Sequence, residues 1–207
     1  MELLIKKIKL SCLVIMFCAN IFAQDTSALI NAYNESLKLE TAYNYEEAIK
    51  LLQGQYNPKS YEVNIRLAWL NYLNGDFATS IKQYKTAIEL KPQAIDARLG
   101  IIYPYSYMQN TEAVINEYKE ILKIDPNNTS VLYKLGYIYY NRIQYSEALV
   151  LFEKILSLFP LDYNTLLMCG WTNLKIGQKE EAKKLFNNVL MISYNDASAI
   201  EGLNSIK

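Results

Sequence analysis

Four prolines, Pro58, Pro92, Pro126 and Pro160, stand 34 residues apart, and the same step lands next on Tyr194 within the polar turn Ser193-Tyr194-Asn195-Asp196. A period of this length restricts the possible folds severely. A unit of that size is one supersecondary element, and it buries its apolar face only by stacking on its neighbours. The chain is therefore expected to form a repeat array. Its 207 residues, 51% hydrophobic and 20% charged, suffice for a continuous core along such an array.

The clearest unit runs from Thr129 to Asp162. Its first half, Val131 to Tyr140, and its second, Ser146 to Ile155, both carry apolar residues at helical spacing, which predicts two antiparallel helices. Gly136 and Ala148 supply small residues where the helices cross closely, with Tyr139, Phe152 and Ile155 filling the space around them. Asp125-Pro126-Asn127-Asn128 opens the unit, because proline suits a linker or first helical turn and cannot continue the preceding helix.

Leu132, Leu135-Gly136, Tyr139, Ala148, Phe152, Ile155 and Pro160 in this order resemble the signature of the tetratricopeptide repeat family. The next unit follows it with Leu166, Cys169-Gly170, Ala182, Phe186 and Val189, departing at Asn173 and Tyr194; an earlier one does so with Leu67-Ala68, Ser80, Tyr84, Ala87 and Pro92. The resemblance implies an all-α fold, a right-handed α-solenoid of about five helix pairs. The pairs fall at about 28–58, 61–94, 95–128, 129–162 and 163–196, closed by a capping helix at 197–207. Two units are irregular. In the third, Leu99-Gly100 and Tyr103 stand two places early, Ala113 one place off, and Pro104 lies inside the first helix, so a kink or a shortened helix is expected. The first keeps Tyr45-Glu46-Glu47-Ala48-Ile49 and Leu52 but lacks the Leu-Gly pair, as an N-terminal cap would.

Residues 1–23 read differently. Lys6, Lys7 and Lys9 precede an apolar run from Leu10 to Phe17, and Ala23 offers a small residue for cleavage, the pattern of a secretory signal peptide. The array then occupies 24–207, the expected location is periplasmic or secreted, of bacterial type, and no integral membrane span remains after cleavage. Cleavage removes three lysines and one glutamate from 21 basic and 21 acidic residues, leaving 18 and 20. It also leaves Cys169 as the sole cysteine, so no internal disulfide contributes to stability. Cys169 takes the leucine position of a Leu-Gly pair and is read as a packing residue.

Balanced charge gives no basic field for nucleic acid. The absence of histidine removes the commonest general base and metal ligand, and neither a phosphate loop nor a metal motif is present; no enzymatic activity, cofactor or metal is expected. Family resemblance implies binding on a concave wall built from the first helix of each pair. Tyr33, Trp69, Tyr72, Tyr105, Tyr133, Tyr137, Tyr140 and Trp171 are placed there, with Arg66, Arg98, Lys134, Asn141 and Lys175 among them. Tyr133, Tyr137 and Tyr140 form one helical stripe. Tyr and Trp with interspersed cations suit an extended peptide, a partner helix or a sugar chain. Packing between helices is the competing role for each ring. A clamp for C-terminal carboxylates is disfavoured, since Ile65, Trp69, Tyr133 and Tyr137 stand where lysine and asparagine would be needed. The expected function is a non-enzymatic interaction scaffold of the cell envelope that binds a protein or peptide, with polysaccharide binding or export as the alternative.

Overall fold

A computed structural model describes residues 26–206; the signal-peptide reading lies outside them. The described residues form eleven α-helices and no strand, the helix-pair array expected. Helix α1 covers residues 26–41, followed by α2 (Tyr45–Gln53), α3 (Tyr61–Leu73), α4 (Phe77–Leu90) and α5 (Asp96–Tyr107). These belong to one compact unit that ends at Asn110. A second unit begins at Thr111 with α6 (Thr111–Ile124), and continues with α7 (Thr129–Asn141), α8 (Tyr145–Leu158), α9 (Tyr163–Lys175), α10 (Lys179–Ile192) and α11 (Ala197–Ile206). No helix among the described residues is long and apolar enough to cross a membrane.

Local chemistry sets where the helices begin. Ser60, Asn128, Asp162 and Asp196 each accept a hydrogen bond from the backbone N–H three residues on, at 3.3, 3.2, 2.9 and 2.8 Å. Such caps satisfy one of the orphan donors of a first turn. The same step places Ala94 in the third unit, which has no side-chain acceptor, and α5 accordingly starts late, at Asp96, with no side-chain cap. The expected shortening near Pro104 thus arises at the other end of α5. The helix runs on through buried Pro104 to Tyr107 as one element.

Packing follows the small residues. Ala48, Ser80, Ala148 and Ala182 are fully buried. A Cβ on Gly136 would lie 2.8 Å from the Phe152 ring, and one on Gly170 2.6 Å from the Phe186 ring, so within each of these pairs the glycine admits the aromatic of the second helix. Gly100 has a different role from the one its Leu99-Gly100 sequence suggests. It receives Tyr84 of the preceding helix α4, just as Gly202 on α11 receives Phe186 of α10. Phe186 is consequently held between Gly170 and Gly202, and α11 is seated on the last pair. Cys169 is buried in the core of the second unit, where desolvation, with Glu153 and Glu181 adding, pushes its thiol up to about 12. That suits a packing residue and not a nucleophile.

Candidate partner-binding surfaces

In the first unit, α3 and α5 bring aromatic rings together into a ledge. The Trp69 ring lies 5.4 Å from Tyr72 and 5.5 Å from Tyr103. Tyr72 is 5.7 Å from Tyr103 and 6.0 Å from Phe77, the first residue of α4, and Phe77 is 4.3 Å from Tyr107 at an interplanar angle of 33°. Separations of this kind are favourable for offset and edge-on ring pairs. The outer members remain open, Tyr103 at 52% exposure and Tyr107 at 68%. Tyr72, Leu73, Gly75, Phe77 and Tyr107 line an open cleft of about 240 Å³ that carries no charged side chain.

The ledge corrects the sequence reading at two positions. Tyr105, placed on the binding wall, packs instead against the core built from Tyr61, Ala68, Tyr84, Ala87, Ala97 and Ile101. Tyr103 takes the exposed position. Two residues along a helix differ by about 200° in direction, so only one of the two can face the ledge. A usable signal was present, since steps of 34 from Trp69 reach Tyr103, Tyr137 and Trp171. The Leu99-Gly100 pair stands two places early and does not mark this register, because Gly100 serves the preceding helix. Phe77 and Tyr107 were missed because they stand at helix ends, Phe77 opening α4 and Tyr107 closing α5, away from the positions that the first-helix pattern marks.

Arg66 is a second correction. It is 5% exposed, and each guanidinium nitrogen has a partner: Nε donates to the Ser36 hydroxyl at 2.9 Å, Nη2 to the Ser36 carbonyl at 2.8 Å, and Nη1 pairs with Glu40. Its guanidinium also lies over the Tyr33 ring. Trp69 Nε1 donates to the other Glu40 oxygen at 2.9 Å. Arg66 is therefore a bolt between α1 and α3 and is withdrawn from the candidate surface. Burying its charge is tolerable because each guanidinium nitrogen meets an acceptor and the group lies over a ring face. Arg98 is half-buried on α5.

In the second unit the predicted stripe divides. Tyr137 is 48% exposed and Lys134 is exposed with no partner among the described residues. Tyr133 packs on Phe152 at 5.7 Å and Tyr140 on Tyr145 at 5.2 Å. Burial raises both hydroxyls above the usual phenol range, with Tyr137 and Asp162 contributing at Tyr133, and Tyr145 and Tyr137 at Tyr140. Trp171 is committed to the capping helix, since its Nε1 donates to the Ser198 hydroxyl at 2.9 Å and its ring meets Phe186 at 5.3 Å. Lys175 is exposed in the last turn of α9, where its charge complements the helix dipole. Tyr133 and Lys134 share a cleft of about 270 Å³ with Phe159, Asp162 and Thr165; the Asp162 carboxylate is already occupied in capping α9.

Residues 61–94 and residues 130–162 each match a tetratricopeptide repeat family profile. A sequence comparison with characterised proteins returns no match. Among solved structures, a tetratricopeptide repeat protein from Parabacteroides merdae superimposes with a TM-score of 0.69 at 19% identity, over 87% of this chain and 72% of that one. A MamA protein does so at 0.66 and 19%, over 82% and 97%. YrrB, described as a tetratricopeptide repeat protein with an unusual peptide-binding site, does so at 0.64 and 12%, over 85% and 92%. With two repeats matched in sequence and the helix-pair architecture present in both units, the chain is a tetratricopeptide repeat protein.

Proposed function

We propose that the protein is a non-enzymatic scaffold of the bacterial cell envelope that binds a protein partner through the exposed aromatic side chains of its first helices. The observation that carries this reading is the ledge of Trp69, Tyr72 and Tyr103, extended by Phe77 and Tyr107. Rings left half open to water at one place supply the contact area that anchors protein interfaces at little entropic cost. YrrB, a structural relative at 12% identity, carries a peptide-binding site by its description, which is consistent with such use of the fold. Export rests on the basic and apolar pattern of residues 1–23.

The test is affinity capture from the solubilised envelope of the source cell, comparing wild type with a Tyr103→Ala, Tyr107→Ala double variant and with Tyr137→Ala. A protein retained by wild type and lost with either variant supports the scaffold reading and identifies the unit that binds. Retention of the same proteins by all three would remove the rings from the function. Fractionation of the source cell tests the location, and recovery of the chain in the cytoplasm would contradict it.

A further inference from the structure

We infer that the ledge of the first unit is a site for an extended, proline-rich segment of the partner protein. The inference rests on the scaffold reading and narrows its ligand. Every residue lining the cleft beside Phe77 is uncharged, namely Tyr72, Leu73, Gly75, Phe77 and Tyr107. A charged side chain or sugar acid entering there would lose water without gaining an opposite charge. The polar groups the ledge offers are phenol hydroxyls, and those of Tyr72, Tyr103 and Tyr107 make no hydrogen bond among the described residues, Tyr72 and Tyr103 standing near the buried Tyr84 hydroxyl. Trp69 contributes only its ring, because Nε1 is held by Glu40.

Apolar ring faces edged by hydroxyl donors match a chain that presents apolar rings and backbone carbonyls but few N–H groups. Proline has that composition, since its nitrogen carries no hydrogen. A neutral sugar fits less well: its many hydroxyls call for carboxylate or amide side chains, and none lines the cleft. Geometry agrees. A polyproline II strand advances ~3.1 Å per residue and repeats every three, so prolines on one face stand roughly 9 Å apart. The ring-to-ring steps of the ledge, 6.0 Å from Tyr72 to Phe77 and 4.3 Å from Phe77 to Tyr107, set the upper limit of the Tyr72–Tyr107 span, and that limit leaves room for one such repeat. The strand is already extended in water, so little order is lost on docking.

The experiment titrates the full chain into a dye-labelled proline decamer with blocked ends and follows fluorescence anisotropy, with a Gly-Ser decamer as reference. Saturable binding of the proline peptide alone is expected, weakened at least tenfold by Tyr107→Ala and by Tyr103→Ala, with helicity by circular dichroism unchanged because both side chains are exposed. Absence of saturable binding, binding indifferent to both substitutions, or displacement of the peptide by cellohexaose would each overturn the inference. The two proposals fail separately. Ring-dependent partner capture without proline-peptide binding discards the proline-rich ligand and keeps the scaffold, whereas ring-independent capture discards the scaffold reading itself.

Discussion

Gly202 offers a substitution whose sign distinguishes local from tertiary control. It lies inside α11, where by intrinsic helix propensity alone Gly202→Ala would stabilise by about 1 kcal/mol. The surroundings oppose this. A Cβ at Gly202 would fall well inside contact distance of the Cε2–Cζ edge of Phe186. That ring is fully buried and cannot retreat, because its opposite Cε1–Cδ1 edge faces Gly170, where an added Cβ would sit 2.6 Å away. Trp171 packs edge-on at 5.3 Å and closes a further side. Overpacking of this kind costs about 1–3 kcal/mol, so net destabilisation of up to about 2 kcal/mol is expected after the propensity gain. Urea denaturation followed by far-ultraviolet circular dichroism and by tryptophan emission measures it. Trp171 emission should change early, since its indole is bonded to Ser198 on α11. Phe186→Leu shortens the ring that obstructs the methyl, so the two substitutions together should cost less than their sum by more than about 0.5 kcal/mol. A Gly202→Ala variant that is more stable than wild type would refute the wedge.

Two further outcomes follow from the geometry. The Asp196 carboxyl is held below its usual value by the hydrogen bond from the Tyr163 hydroxyl at 2.5 Å and then by the Ala199 N–H; a depressed folded-state pKa contributes stability above pH ~4 that is lost as pH falls through the folded value, so acid titration should loosen α11, and Asp196→Asn should flatten that dependence. Ile143 stands at φ 63° in the turn between α7 and α8 and is 74% exposed, whereas Gly75 and Gly177 take the positive-φ position of the equivalent turns; Ile143→Gly should therefore raise the thermal midpoint through relief of about 1 kcal/mol, and a lower midpoint would count against strain there.

Much of the architecture was legible because its determinants are local. Proline in the linker with a cap two residues later at Ser60, Asn128 and Asp162, the cap Asp196 two residues after Tyr194, and helical spacing of apolar residues act within a few positions of one another. The candidate surface was legible only in part. Trp69 and Tyr72 meet in the ledge and Tyr137 is exposed, but Tyr105 turns to the core and Tyr103 outward, since direction around a helix changes by about 100° with every residue.

The chain by itself determines that helices form in pairs, where they start, and which small residues allow close approach. Tertiary structure alone decides what those residues approach. Gly100 and Gly202 accept aromatics from the preceding pair, not from their own; Arg66 becomes internal because Ser36 and Glu40, 30 and 26 residues earlier, enclose it; and Phe77 at the start of α4 and Tyr107 at the end of α5 meet to extend the ledge. The physical reason is that stacking energy in a repeat array resides at the junctions between neighbouring elements, and a junction is made by residues that no local spacing connects.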